Sequence, residues 1–112
     1  MAKMIDSKQI HTYTVHMNDI RFEWDEEKNR ENQRKHGVSF VEAQTVFFDE
    51  DAVEFYDDEH SEREDRFLLL GVSSKMMMVV CHCLRSEESV IRIISARKAT
   101  KRERELYPEG EL

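Results

Sequence analysis

The strongest constraint on the fold is a series of three apolar segments joined by very short polar connections. The segments span residues 66–72, 76–84 and 89–96, and the connections are Ser73-Ser74-Lys75 and Ser86-Glu87-Glu88. Apolar segments of this length, bounded by polar turns, are typical of β-strands. Since connections this short cannot carry a crossover, consecutive strands should run antiparallel. The sequence therefore predicts a β-meander.

A strand and two helices are predicted ahead of the meander. Residues 20–24 alternate apolar and polar side chains, as a half-buried strand does. Asp25 can cap a helix that has Gly37 as its stop. Ser39 and Glu42 form a capping box, which indicates the start of a second helix.

A further strand and a C-terminal helix complete the predicted order. The strand covers residues 52–56, and Thr100 and Glu103 form a second capping box whose helix stops before Pro108. The resulting order, β-α-α-β-β-β-β-α, belongs to the α+β class. We expect a small, largely antiparallel sheet of about 4–5 strands, packed with two N-terminal helices and one C-terminal helix.

The first helix has an unusual composition, because residues 26–36 include no apolar side chain. Hydrophobic burial cannot attach such a helix to a sheet. The helix is therefore either exposed and stabilised by ion pairs, or it directs polar groups toward the interior. Helical spacing puts Lys28, Asn32 and His36 on one stripe. Two interpretations stay open: a solvent-facing helix stabilised by ion pairs, or a polar stripe that faces a ligand.

The chain length and the hydropathy pattern limit the number of domains and indicate the cellular compartment. A chain of 112 residues fits one domain. Residues 1–16 show neither helical nor strand periodicity and are predicted to be a tail. The domain then covers residues 17–112. Either Met1 or Met17 is the start codon. No apolar run reaches the roughly 18 residues of a membrane span, and no secretory signal is visible. We expect a cytoplasmic protein without membrane association.

The two cysteines favour the same compartment. Cys81 and Cys83 stand two positions apart within an apolar strand, where the parallel Cβ directions disfavour a disulfide. A metal site at Cys81-His82-Cys83 would need two more ligands, and the sequence nearby supplies none at zinc spacing. We therefore expect reduced thiols, no metal and no cofactor, with His82 a hydrogen-bonded core residue.

Charge is distributed unevenly along the chain. The net charge of −7 argues against indiscriminate binding to nucleic acid. Residues 49–65 carry ten acidic side chains and one basic one, whereas residues 85–104 carry seven basic and three acidic side chains. Such a chain can present one face to phosphate and another to a basic partner, or both runs can be a solvated coat.

Arginines within the predicted strands are candidate phosphate ligands. They are Arg66, Arg85, Arg92 and Arg97. A guanidinium in a β-meander costs desolvation free energy unless it pairs with a carboxylate or binds an anion. Strand alternation puts Arg97 on the face of Ile91 and Ile93, with Arg92 on the other face. The alternative to a phosphate site is that these arginines pair with the acidic loop.

Four separate segments resemble the BrnT toxin family. They are residues 22–29 (FEWDEEKN), 34–40 (RKHGVSF), 60–67 (HSEREDRF) and 91–99 (IRIISARKA). The resemblance spans residues 19–107. It implies a RelE-like fold, a small sheet with helices on one side. It also implies a ribonuclease toxin of a type II toxin–antitoxin system whose partner is BrnA, a ribbon-helix-helix antitoxin.

The resemblance also implies site residues. Lys28, His36, Arg66 and Arg97 match family motif positions and are the expected catalytic residues. Arg66 and Arg97 would hold the scissile phosphate, with Arg85 as a third candidate. His36 would transfer protons, and Lys28 would either share that role or bind phosphate from the same helix stripe. The further expected RNA-binding residues are Arg85, Arg92, Lys98 and Lys101.

The expected function is metal-independent endonucleolytic cleavage of mRNA, which inhibits translation until the antitoxin neutralises the toxin. Operator DNA would be contacted only through the antitoxin, in a heterotetramer of toxin and antitoxin. The alternative is a non-catalytic regulatory module that binds the antitoxin and co-represses the operon.

Overall fold

A computed structural model describes residues 10–17, 20–85 and 89–108. Within these residues, a six-stranded sheet has the order β1-β2-β6-β5-β4-β3. The strands are β1 (Ile10–Met17), β2 (Ile20–Asp25), β3 (Val53–Tyr56), β4 (Phe67–Val72), β5 (Met77–Arg85) and β6 (Val90–Lys98). The helices are α1 (Glu26–His36), α2 (Phe40–Gln44) and α3 (Lys101–Arg104), with 3-10 turns at Thr45–Phe48 and Asp58–His60. The α+β class is confirmed.

The predicted meander is present as β4, β5 and β6, which pair antiparallel in sequence order. The predicted turn at residues 86–88 lies outside the described residues. β2 pairs with β6 in parallel, with Arg21 opposite Val90 and Glu23 opposite Arg92. The sheet is therefore mixed, because the chain crosses over through the helices and three further strands between β2 and β6.

The predicted helix starts are confirmed by their caps. The Asp25 carboxylate accepts a hydrogen bond from the Glu27 amide at 2.9 Å, and Gly37 ends α1 with φ at +70°. Both halves of the capping box at Thr100 and Glu103 are formed. Ser39 caps α2, but the Glu42 carboxylate bonds to the Ser73 hydroxyl of the β4–β5 turn.

The prediction that residues 1–16 form a tail is wrong for residues 10–16. β1 occupies residues 10–17 and pairs antiparallel with β2, from Ile10 opposite Asp25 to Tyr13 opposite Phe22. Residues 1–9 lie outside the described residues. A strand signal was present and was missed, since apolar Tyr13, Val15 and Met17 alternate with polar Thr12, Thr14 and His16.

A chain that begins at Met17 should therefore be less stable than one that begins at Ile10. Loss of β1 would leave β2 as an edge strand without its antiparallel partner. We expect the melting midpoint to fall by several degrees, since about 1 kcal/mol corresponds to 4–8 °C for a domain of this size. Equal melting midpoints of the two chains, measured by circular dichroism, would show that β1 contributes nothing to stability.

The two faces of the sheet carry different layers. α1 and α2 cover a core that includes Phe22, Trp24, Phe40 and Ile93, all nearly inaccessible to solvent. On the other face, Tyr107 packs against the smaller cluster around Leu70 and Val79. The fold implied by the resemblance, with helices on one side, thus needs correction, because the segment after β6 covers part of the opposite face. No helix in the described part of the chain is long and apolar enough to cross a membrane.

Asparagines attach α1 to the sheet, which explains how a helix without apolar residues docks. The Asn32 amide donates to the carbonyls of Val38 and Ala96, both at 2.8 Å, and its oxygen accepts from the Ala96 amide at 3.1 Å. Asn29 accepts from the Phe40 amide at 2.8 Å. Polar groups of α1 therefore turn inward, toward backbone groups.

A β-bulge in β6 reverses the predicted orientation of Arg97. Cys81 lies opposite Ser95 while His82 lies opposite Ile93, so β6 contains one extra residue. Beyond the extra residue, Ala96 takes the core face together with Ile93. Arg97 therefore points to the face opposite the helix-covered core, and the prediction from strand alternation is wrong.

Candidate functional site

A cleft of about 380 Å³ lies on the sheet face opposite α1 and α2. Its lining comes from the β3–β4 connection (Asp57, Glu59, His60), the start of β4 (Arg66, Leu68), β5 (Cys81) and β6 (Ile94, Ser95, Arg97). Two of the four predicted catalytic residues, Arg66 and Arg97, thus share one cleft. The bulge in β6 makes this possible, because it brings Arg97 to the side of β5 that carries Cys81.

Arg97 is held by Glu103, the acidic residue of the capping box of α3. Both terminal nitrogens of its guanidinium donate to the Glu103 carboxylate at 2.8 Å. Hydrogen bonds from Arg97 lower the pKa of Glu103 to about 2, so the pair is fully charged at neutral pH. The same Glu103 carboxylate accepts from the Thr100 amide at 2.9 Å, which fixes it against the backbone. The capping box therefore orients Arg97 as well as starting α3.

The backbone of Arg66 is fixed by the hydroxyl of Ser61. This hydroxyl accepts from the Arg66 amide at 2.9 Å and donates to the Asp57 carbonyl at 2.6 Å. The Asp57 amide in turn donates to the Arg66 carbonyl at 2.9 Å. These bonds close the loop between β3 and β4 at its base. The Arg66 guanidinium contacts the Glu64 carboxylate through Nε at 3.3 Å.

His60 is a cleft residue that the sequence reasoning did not select. Its Nδ1 lies 3.0 Å from one carboxylate oxygen of Asp57 and 3.2 Å from the other. The Asp57 side chain is 9% exposed, whereas the His60 ring is 62% exposed. A signal was available, since His60 opens the third of the segments that resemble the BrnT family.

Cys81 lies in the cleft but is a poor nucleophile. Burial, followed by the charge of Asp57, raises the pKa of its thiol to about 11, which leaves little thiolate at neutral pH. His82 is buried on the other face of β5, where its ring packs against Phe47 and its Nδ1 lies 3.3 Å from the Val80 carbonyl. The prediction of a core histidine is confirmed.

Metal ligation at Cys81-His82-Cys83 has no geometric support. Alternation along β5 directs the two cysteines to one face and the histidine to the other. Among the described residues, no group of three or more His, Cys, Asp or Glu side chains is placed to hold a metal ion.

The remaining predicted site residues lie outside this cleft. Lys28 and His36 are exposed on α1, which packs on the opposite face of the sheet. Arg85 pairs with Glu64 at 3.1 Å, and Arg92 pairs with Glu23 of β2 at 2.7 Å. Lys98 and Lys101 are exposed near Arg97, at the end of β6 and the start of α3.

Each of the four strand arginines has a carboxylate partner, but the alternative that they pair with the acidic loop is confirmed for two of them. Only Arg66 and Arg85 pair with the acidic stretch, through Glu64, whereas Arg92 and Arg97 pair with carboxylates elsewhere. Pairing does not exhaust a guanidinium, which has five N–H donors. Within the described residues, the terminal nitrogens of Arg66 donate to no protein acceptor.

The fold and the cleft define a small α+β protein whose open sheet face presents two fixed arginines. Residues 24–103 match the family described as ribonuclease toxin, BrnT, of type II toxin–antitoxin system. The chain belongs to this family, and the resemblance drawn from the four sequence segments is confirmed. No curated protein matches the chain.

Proposed function

We propose that the protein is an endoribonuclease that cleaves mRNA in the bacterial cytoplasm without a metal ion and thereby inhibits translation. The observation that carries the proposal is the convergence of Arg66 and Arg97 on one cleft. RNA brings its own nucleophile, the 2′-hydroxyl group, so the protein has to bind the phosphate, move protons and stabilise the developing charge.

The two arginines suit the phosphate. A guanidinium presents planar paired donors that match phosphate oxygens, and it stays charged at any physiological pH. The Glu103 carboxylate occupies the Nη1 and Nη2 edge of the Arg97 guanidinium and fixes its orientation, which leaves Nε–H and the outer N–H of Nη2 for a phosphate. The Ser61 hydroxyl fixes the backbone of Arg66. Donors held in place before the reaction need no reorganisation as negative charge builds on the phosphorus oxygens.

Further cations can guide the RNA strand toward the cleft. Lys98 and Lys101 are exposed beside Arg97, and Arg85 and Arg92 lie on the same face of β5 and β6. We propose that these four bind RNA phosphates outside the scissile position. Their contribution should be electrostatic and salt-dependent.

We further propose that a BrnA-like ribbon-helix-helix antitoxin inhibits the enzyme by placing acidic side chains over Arg66 and Arg97. Ribbon-helix-helix dimerisation would bring two toxins into a heterotetramer. The net charge of −7 disfavours direct binding to DNA phosphates and thus supports an operator-binding surface on the antitoxin.

The experiment that tests the function uses an end-labelled RNA of mixed sequence, supplied alone and on translating ribosomes. We expect cleavage that EDTA does not change, with a 2′,3′-cyclic phosphate on the upstream product. After the cut is mapped, an RNA with a single 2′-deoxy substitution at that position should resist cleavage there.

Two results would contradict this proposal. Cleavage of the deoxy-substituted RNA, or activity that EDTA removes and Mg²⁺ restores, would exclude attack by the 2′-hydroxyl without metal. Intact RNA under both conditions, together with antitoxin binding, would favour the alternative, a non-catalytic regulatory module.

A further inference from the structure

We infer that His60 is the general base of the reaction and that Asp57 is its positioning residue. The inference rests on the proposed function, because it names the group that removes the 2′-hydroxyl proton in the same cleft. It replaces the role predicted for His36, which lies on α1 and does not line this cleft.

The contact with Asp57 decides which ring nitrogen can act. A carboxylate only accepts hydrogen bonds, so the His60 nitrogen that lies 3.0 Å from Asp57 Oδ2 carries a proton. In the neutral ring the other nitrogen, Nε2, then holds the lone pair. The buried carboxylate thus selects one tautomer of an exposed imidazole.

The loop between β3 and β4 holds this pair against the phosphate-binding residue. Asp57 and Arg66 exchange backbone contacts directly and through Ser61, at distances of 2.6–2.9 Å. His60 belongs to the same short loop, within the 3-10 turn Asp58–His60. The base and the Arg66 guanidinium are therefore carried by one closed unit, which favours catalysis by orientation.

The proton transfers of the reaction need only His60 and water. Nε2 of His60 takes the proton of the 2′-hydroxyl, and the 2′ oxygen forms a bond to phosphorus. The bond from phosphorus to the 5′ oxygen breaks, and the leaving oxygen takes a proton from water. The imidazolium then returns its proton to solvent, so the products are a 2′,3′-cyclic phosphate and a 5′-hydroxyl.

Other groups in the cleft suit this role less well. Burial, followed by the Asp57 charge, raises the pKa of the Cys81 thiol to about 11. A guanidinium does not release its proton at physiological pH and so cannot act as a base, and hydrogen bonds to Glu103 raise the pKa of Arg97 further. Glu59 lines the cleft, but imidazole is the side chain that both accepts and releases a proton near neutral pH.

The test compares His60→Ala, His36→Ala and Arg97→Ala on the mapped RNA substrate. We expect His60→Ala to lower the cleavage rate by a factor on the order of 10²–10⁴, the range for loss of a general base. His36→Ala should cut at the rate of the unmodified protein. Added imidazole should restore part of the activity of His60→Ala and none of that of Arg97→Ala. Melting curves establish that each variant is folded.

A double-mutant cycle tests Asp57 as a positioning residue. Asp57→Asn should slow cleavage when His60 is present and have no further effect in the His60→Ala background. A purely structural role would slow both backgrounds alike and would overturn the assignment of Asp57.

The outcomes separate this inference from the proposed function. Full activity of His60→Ala beside an inactive Arg97→Ala would overturn the assignment of His60 and leave the ribonuclease function standing. If His36→Ala were inactive and His60→Ala active, His36 of α1 would be the acid–base residue and the inference would be overturned. RNA left intact by the unmodified protein would overturn both.

Discussion

Replacing Arg66 or Arg97 by alanine is expected to lower the rate of RNA cleavage on the order of a hundredfold or more. That is the usual effect of removing one fixed donor from a site that stabilises developing negative charge. The effect should fall on the rate constant of the chemical step more than on RNA affinity, because several other cations contribute to binding. Single-turnover measurements with saturating protein separate the two quantities.

Arg97→Lys provides a sharper version of the same experiment. Lysine keeps the positive charge but cannot reproduce the two parallel bonds to the Glu103 carboxylate. We expect activity between those of the unmodified protein and Arg97→Ala. Activity equal to that of the unmodified protein would mean that charge alone suffices and that the capping box has no part in orienting the site.

Arg34→Ala is the matched control for these variants. Arg34 is an exposed arginine of α1, on the face of the sheet opposite the cleft, and its loss changes the net charge equally. We expect its cleavage rate to stay near that of the unmodified protein. A comparable loss in Arg34→Ala would show that the overall field of the protein, and not the cleft, governs activity.

Local signals made much of the fold predictable. N-caps at Asp25, Ser39 and Thr100 marked the helix starts and Gly37 marked the end of α1, because these residues satisfy backbone groups within a few residues of themselves. The meander was predictable from local signals as well, because strands joined by short turns must be antiparallel neighbours. The parallel pairing of β2 with β6 was not predicted, because it joins residues about 70 positions apart through backbone bonds that leave no local pattern.

The site shows where periodicity fails. One additional residue in β6 moves Arg97 to the other face, and nothing in the segment Ile91–Lys98 distinguishes a bulged strand from a regular one. His60 was missed for a related reason. A histidine in an acidic loop resembles solvated surface until the structure places it 3.0 Å from a buried carboxylate and beside two arginines.

Replacing Asn32 by alanine is expected to lower the free energy of unfolding by about 2–4 kcal/mol. The side chain satisfies three buried backbone groups, the carbonyls of Val38 and Ala96 and the amide of Ala96. Each of these hydrogen bonds contributes about 0.5–1.5 kcal/mol net, and the loss is partly offset by the better helix propensity of alanine. The melting midpoint should fall on the order of 10–20 °C.

Asn32→Asp and Gln33→Ala are the controls for this effect. Aspartate has nearly the shape of asparagine but offers only acceptors, so it would face two carbonyl oxygens and destabilise the fold at least as much as alanine. Gln33 is exposed on the same helix, and within the described part of the chain its side chain donates one hydrogen bond, to Asn29 at 3.3 Å. We expect Gln33→Ala to change the free energy of unfolding by less than about 0.5 kcal/mol.

The position of Asn32 also connects helix docking to the cleft. The pairing of β2 with β6 ends at Arg92. Beyond that point, the Asn32 side chain forms the hydrogen bond with the edge of β6, at the amide of Ala96, the residue before Arg97. A variant that weakens this contact should therefore lose cleavage activity at temperatures below its melting midpoint. Cleavage that stays unchanged up to global unfolding, in a destabilised Asn32→Ala protein, would show that the Arg97 end of β6 is ordered independently of α1.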